Sequence, residues 1–332
     1  MQSQFSLPAG RTLHMHAGSC PFNENVAPPH YIILFRCPSF LTPACVATET
    51  ERGCLDGIVP LAARRIELAM PVFAHLRRAY RLPRLVLHAA WGMILAGTVP
   101  RWCSPPQWDR TISRWSAKLL RILCVRLSIM PTTQKMNSVL LVANHISWLD
   151  IFVIHAAQRV HFVSKAEVRR WPAAGWLAWK IGTLFIERTK KSDTARINRE
   201  MRAILEQGGC VAVFPEGTSS DGRQIRRFLP SLLQPAVDLG LPVVPAAVRY
   251  RQPDGSHCDA ANYIDRMSFA ESLWRIAGTP AIHAQLEFGA VQKGGDRRSL
   301  ALAAQTEVAR LLGVAVMDKP PGWAAGPQDA GQ

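Results

Sequence analysis

The 332-residue sequence predicts an α/β fold: a mixed, largely parallel sheet covered by helices, with a helical region in front of it. Three observations carry that prediction. From residue 138 onward, short β-rich runs alternate with helical stretches at the spacing of strand–helix–strand units. Upstream, a nearly uncharged stretch and a basic amphipathic one each read as a helix. At 48% hydrophobic and 19% charged, the composition fits a folded chain and excludes a disordered tail or a repeat array.

Residues 1–66 hold Pro28-Pro29, scattered polar residues and no sustained periodicity, and read as a weakly ordered extension. Nothing in Met1 to Asn25 has the apolar core of a secretory signal, and Met70 is a second candidate start. The eight cysteines (20, 37, 45, 54, 103, 124, 210 and 258) form no Cys-x-x-Cys pair and precede no spaced histidines. That scatter suggests unpaired thiols in a reducing compartment and gives no support to a metal site. Residues 67–132 form a helical region. Leu85–Val99, between Pro83 and Pro100, would make a helix of about 22 Å, too short to cross a hydrocarbon core of about 30 Å. It suits a helix lying in a membrane interface, with a buried core helix as the alternative. Trp115–Met130 places Lys118 and Arg121 opposite Trp115, Leu119, Ile122 and Leu123, which is the pattern of a surface helix or of one resting on anionic lipid.

In residues 133–315, buried strands are expected at 138–143, 161–165, 184–188, 211–215, 243–250 and 283–288. Helices are expected near 148–157, 167–180, 193–207, 229–239 and 299–312. Residues 316–332, rich in Pro, Gly and Ala, read as a disordered tail. The net charge of +15 calls for an anionic partner. A mean hydropathy of +0.03 in so charged a chain favours a membrane surface over nucleic acid, and no nucleic-acid-binding motif is present.

Two blocks carry chemistry. Asn144-His145-Ile146-Ser147-Trp148-Leu149-Asp150 follows an apolar strand, and open α/β sheets bind ligands at the C-terminal ends of their strands. His145 can take a proton near neutrality. Asp150 can reach it if the histidine lies in the turn and the aspartate in the first turn of the helix, holding the tautomer and stabilising the imidazolium. Ser147-x-x-Asp150 also reads as a capping box, and the two roles are compatible. The second block, Val213 to Gly222, runs from a strand into a turn with Glu216, Gly217 and the hydroxyls of Thr218, Ser219 and Ser220. Such a turn can offer donors to an oxyanion or phosphate, or be a plain β-turn. A serine-hydrolase elbow would need Gly where Asp221 stands, and there is no Walker loop, GxGxxG or HExxH.

Together these blocks resemble the PlsC-type lysophospholipid and glycerol-phosphate acyltransferases. Asn144–Asp150 matches the family's NHxxxxD motif. Gly182–Arg188 matches its second motif, Phe214–Ser220 its FPEGTRS motif with one departure, and Pro242-Val243-Val244-Pro245 its fourth. The likeness spans residues 138–250. It implies an acyltransferase that moves a fatty acyl group from acyl-CoA or acyl-acyl carrier protein (acyl-ACP) to the free hydroxyl of a lysolipid, first of all 1-acyl-glycerol-3-phosphate. His145 would be the general base and Asp150 its orienting partner, with no cofactor and no metal. Arg188, Glu216, Gly217, Thr218 and Ser219 would bind the acceptor. A carboxylate repels phosphate, so Glu216 is expected to bind hydroxyls or to fix the turn and Arg188. Basic residues at 169–170, 188–191 and 223–227 would meet an anionic leaflet at the cytoplasmic face of the inner membrane, while Trp171, Trp176 and Trp179, with Leu177 and Ile181, read as a membrane-facing or acyl-chain-binding surface or as core packing.

The departure is Ser219, where the family usually has Arg. Arg223, Arg226 or Arg227 could supply the missing charge, or the acceptor could carry less negative charge, as a lyso-ornithine lipid does. A basic membrane-bound scaffold without turnover is the non-enzymatic alternative. It predicts a broken motif, whereas His145, Asp150, Glu216 and Gly217 are all intact.

Overall fold

The computed structural model describes residues 59–132, 136–187, 190–264 and 266–317, with the main chain alone over 59–71 and at 191. The expectations for the first 58 residues and for the tail beyond 317 lie outside the described residues. In chain order the elements are α1 (Val59–Thr98), α2 (Pro105–Ile122), β1 (Val125–Ile129), β2 (Leu140–Ala143), α3 (Leu149–Ala157), β3 (His161–Lys165), α4 (Ala174–Lys180), β4 (Leu184–Ile186), α5 (Lys191–Glu206), β5 (Val211–Val213), β6 (Gln224–Ile225), α6 (Gln234–Asp238), β7 (Val243–Arg251), α7 (Phe269–Gly278), β8 (Ile282–Phe288), α8 (Arg297–Leu312) and β9 (Ala315–Val316).

Seven strands form one sheet in the order β1-β8-β7-β2-β5-β3-β4, and β6 pairs with β9 in a small second sheet. Every neighbour in the large sheet is parallel except β7 and β8, so the sheet is mixed and largely parallel as expected. The central strand β2 is buried at all four positions, which its uninterrupted apolar sequence requires of a strand covered on both faces. Alternate strand residues feed two cores. Leu141 and Ala143 with Val244, Ala246, Val248 and Tyr250 pack towards α2 and α3, while Leu140 and Val142 with Val243 and Ala247 pack towards α5 and α8.

Three departures from expectation stand out, two in the N-terminal third and one near the C-terminus. The apolar segment 85–99 is not a separate short helix but the end of the 40-residue α1, which runs through Pro71 and Pro83 and begins at Val59, inside the stretch expected to be weakly ordered. Proline removes one helix hydrogen bond and crowds the preceding turn, a cost of about 3 kcal/mol. Contacts with the rest of the domain offset it. Arg77 donates to the Gly278 carbonyl (2.7 Å), Arg78 to that of Trp274 (3.1 Å), and the buried Arg81 to those of Ala277, Thr279 and Pro280. Three guanidinium groups thus take up the carbonyls at the end of α7, which a helix C-terminus leaves without partners.

The second failure is Trp115–Met130, which is not one helix. Its first half completes α2; the chain turns at Cys124 (φ 55°), and its second half is β1, paired in parallel with β8. The β-branched residues Val125 and Ile129 tip the second half towards strand. The third is α7, a helix not expected from the sequence at all. Ser268 caps it, its side chain accepting from the Glu271 amide at 3.1 Å.

Among the described residues one stretch, Val72–Arg101, is long and apolar enough to cross a membrane. Phe73, Leu76, Tyr80, Leu87, Trp91 and Ile94 are exposed and fall on one stripe of α1, with Trp102 (88% exposed) just beyond. The opposite side packs on α2. His88 stacks on Trp115 (4.8 Å) and Gly92 gives that indole room, since a Cβ there would lie 2.6 Å from its nitrogen. The described cysteines, 103, 124, 210 and 258, are free thiols.

Candidate active site

The site lies where β2 and β5 end. After Ala143 the main chain leaves the ladder, and the Asn144 side chain replaces it by exchanging two hydrogen bonds with the Val248 amide (2.8 Å) and carbonyl (2.9 Å) of β7. An amide side chain offers the same donor–acceptor pair as a peptide, so the sheet is satisfied while the chain turns towards solvent. His145 occupies that turn and Asp150 the first turn of α3.

His145 Nδ1 is 2.8 Å from Asp150 Oδ2. The same oxygen accepts the Ile146 (2.8 Å) and Ser147 (3.0 Å) amides, and Oδ1 accepts the Tyr250 hydroxyl at 2.6 Å. Four donors therefore converge on a carboxylate with no solvent exposure. An ionised carboxylate only accepts, so the arrangement places the imidazole proton on Nδ1 and leaves the Nε2 lone pair outward. The imidazole is 22% exposed. Asp150 both holds His145 and gathers the amides of the turn that leads into α3. The expected capping box forms by half: Asp150 receives the Ser147 amide, while Ser147 Oγ is buried with no partner among the described residues.

The second block cradles the first. Phe214 stacks on the imidazole with ring centres 4.2 Å apart, and Phe162 stacks behind it at 5.6 Å. Glu216 Oε1 accepts the His145 amide (2.8 Å) and Oε2 the Arg226 amide (3.2 Å), while the Ser220 amide donates to the His145 carbonyl (2.8 Å). Both main-chain groups of His145 are thus held by the Glu216–Ser220 turn. Gly217 makes that turn at φ 79°, a conformation glycine adopts without strain. Burial pushes the Glu216 carboxyl up to about 7, partly offset by the two amide donors. Glu216 therefore fixes the turn, while the expected hold on Arg188 lies outside the described residues.

A family model described as Acyltransferase matches residues 124–249. The lyso-ornithine lipid O-acyltransferase of Pseudomonas aeruginosa is 38% identical over 247 residues, which cover 72% of this chain and 95% of that protein. This chain belongs to the acyltransferase family. The 1-acyl-sn-glycerol-3-phosphate acyltransferase of Neisseria meningitidis serogroup B is 33% identical over 213 residues, 63% of this acyltransferase and 82% of its relative. The crystal structure of PlsC, the 1-acyl-sn-glycerophosphate acyltransferase of Thermotoga maritima, shares the fold: it covers 70% of this chain and 96% of its own with a TM-score of 0.50 at 19% identity.

In this acyltransferase the remaining expected residues fall in different places. Thr218 is exposed beside the histidine turn. Ser219 sits where the arginine was expected and donates its hydroxyl to the Tyr263 carbonyl, tying the turn to the loop before α7. Arg188 lies outside the described residues. Of the candidate substitute cations, Arg223 is paired with Asp259 (3.1 Å) and Arg226 offers its main chain to Glu216. Tyr250 was missed: it reads as the last apolar residue of a strand, and only its inward register with Val244, Ala246 and Val248 signals that its hydroxyl reaches Asp150. Asn144 and Phe214 were in the quoted motifs, but their roles need the neighbouring strand to be seen.

Proposed function

We propose that this acyltransferase moves a fatty acyl group from acyl-CoA or acyl-ACP to the free hydroxyl of a lysolipid, with His145 as general base. The observation that carries the reading is the 2.8 Å His145–Asp150 contact in a turn open enough to leave Nε2 facing out. The acceptor hydroxyl gives its proton to Nε2 as its oxygen attacks the thioester carbonyl. The C–S bond breaks, the thiolate takes the proton from the imidazolium, and an ester and a free thiol leave. Asp150 stabilises the imidazolium between these steps. The scheme calls on no metal or prosthetic group. Two acceptor classes are named among the relatives, 1-acyl-glycerol-3-phosphate and lyso-ornithine lipid.

The lipid substrates and the exposed apolar stripe of α1 support work at a membrane surface, with the +15 chain drawn to an anionic leaflet such as the cytoplasmic face of the inner membrane. Positioned proton transfer contributes about 10²–10⁴ in rate, so His145→Ala is expected to lower kcat by at least a hundredfold with either acceptor. A radiolabelled acyl-transfer assay measures it. A His145→Ala enzyme within tenfold of wild type would remove the general base from the scheme.

A further inference from the structure

Beside the histidine turn lies a cavity of about 600 Å³, walled by the segment after the Glu216 turn and by the loop leading into α7. Its walls hang directly from the reactive turn. The Ser220 amide is bonded to the His145 carbonyl, the Tyr263 amide to the Ile146 carbonyl at 3.0 Å, and Gly222 lies so close to Ile146 that a Cβ there would be 2.6 Å from its Cδ1. Among the described residues six charged side chains line it: Asp221, Asp259 and Glu271 against Arg223, Arg266 and Arg275. In a chain with 39 basic and 24 acidic residues, a cavity with equal numbers of each is a local departure. Arg223 pairs with Asp259 at 3.1 Å and lies 4.0 Å from Asp221, so this trio keeps one net negative charge beside Glu271, facing Arg266 and Arg275. Asn262 is also in the wall, buried, with an Oδ1 that has no partner among the described residues.

Resting on the reading of this chain as a lysolipid acyltransferase, we propose that this cavity binds the acceptor's head group and that the head group is a zwitterion, carrying one ammonium and one carboxylate as an ornithine acylated at its α-nitrogen does. A phosphate monoester would bring up to two negative charges to a wall whose three carboxylates already balance its three arginines. A zwitterion satisfies both sets: the carboxylates take the ammonium and the guanidinium groups take the carboxylate in charge-assisted hydrogen bonds. Ser219 fits the same pattern. In place of a phosphate-binding cation, its hydroxyl ties the turn to the Tyr263 carbonyl, holding the cavity wall to the histidine.

Steady-state acyl transfer to lyso-ornithine lipid and to 1-acyl-glycerol-3-phosphate, with wild type and two paired variants, tests this. Wild type is expected to have the higher kcat/KM for lyso-ornithine lipid. Asp221→Asn with Glu271→Gln is expected to raise KM for that acceptor about tenfold and to lower KM for the phosphate acceptor, narrowing the preference from both sides. Arg266→Gln with Arg275→Gln is expected to raise KM for lyso-ornithine lipid by a similar factor, so the proposal stays testable if one pair folds poorly. A wild-type preference for 1-acyl-glycerol-3-phosphate, or KM for lyso-ornithine lipid within twofold of wild type in both variants, overturns the head-group assignment. If His145→Ala is inactive in that case, the acyl-transfer reading stands and only the cavity's role falls. Absence of transfer to either acceptor in wild type removes both.

Discussion

His145 does little by itself in this structure; its neighbours decide what it can do. Asp150 is the hub, and its Oδ1 depends on one hydroxyl, that of Tyr250, in a site closed to water. Tyr250→Phe removes that donor and leaves a buried carboxylate oxygen short of a partner, a cost of about 1–3 kcal/mol. The expected result is a lower Tm and, under the proposed general-base role of His145, a kcat reduced more than KM, because the imidazolium of that scheme loses part of its counter-charge support. Thermal melts and initial rates check both. Glu216 offers a pH test. Its carboxyl titrates at about 7 in the fold against an ordinary value of 4.5, because burial disfavours its charge. The folded state therefore holds a proton that the unfolded chain has already released between those values. Its contribution to stability is full below pH 4.5 and is lost as pH rises through about 7. Glu216→Gln cannot ionise, so its stability relative to wild type should improve by up to roughly 3 kcal/mol between pH 4.5 and 8, read from denaturant melts across that range. At every pH it carries a fixed penalty, since an amide accepts only one of the two main-chain donors.

At the scale of elements, what was legible in the sequence followed from local rules, and what was missed depended on partners far along the chain. The strand His161–Lys165 and the helices 148–157 and 193–207 lie within two residues of expectation, because a continuous apolar run or a clear 3.6-residue period needs no outside help. Likewise the His145–Asp150 pair was readable, since five residues across a strand-to-helix turn bring the two together by local geometry. Helix α1 failed the local rule. Pro83 reads as a boundary, and only the hold of Arg77, Arg78 and Arg81 on the end of α7, some 200 residues away, carries the helix past it. Helix α7 did have a local signal, Ser268 three residues before Glu271, masked by the charged and polar residues around it. The α1–α2 seam gives the prediction that belongs at this scale. Gly92→Leu puts side-chain atoms where the Trp115 indole lies, and a packed seam relieves such overlap by shifts costing about 1–3 kcal/mol. Gly97→Ala, whose Cβ would meet only the Trp176 ring at an ordinary 3.9 Å, is expected to be neutral or slightly stabilising, as a helical alanine is. Paired melts of the two variants separate the seam from general helix propensity.

Across the whole molecule, charge and exposed apolar surface would serve the proposed membrane surface over different ranges. The α1 stripe can bury apolar side chains in the acyl boundary only on contact. The basic residues act at the distance of a Debye length. On α2, Arg110, Arg114 and Lys118 are exposed at successive four-residue steps and so share one face. Near an anionic surface each such charge contributes about 1 kcal/mol, and salt screens it. Replacing all three by Glu should therefore weaken binding to vesicles containing a third phosphatidylglycerol by at least a hundredfold at 0.1 M salt, with a smaller loss at 0.5 M. Binding to pure phosphatidylcholine should hardly change. Trp91→Ser with Ile94→Ser should show the opposite dependence, losing affinity for both vesicle types at either salt concentration. Sedimentation with sucrose-loaded vesicles measures all four conditions. If the charge-reversed protein binds anionic vesicles like wild type, the α2 face is a solvated surface and the attraction must reside in the arginines elsewhere on the chain. Catalysis and binding separate in the same experiment: transfer to a detergent-dispersed acceptor should survive in the charge-reversed protein, because α2 touches His145 only through the core that α3 shares with it.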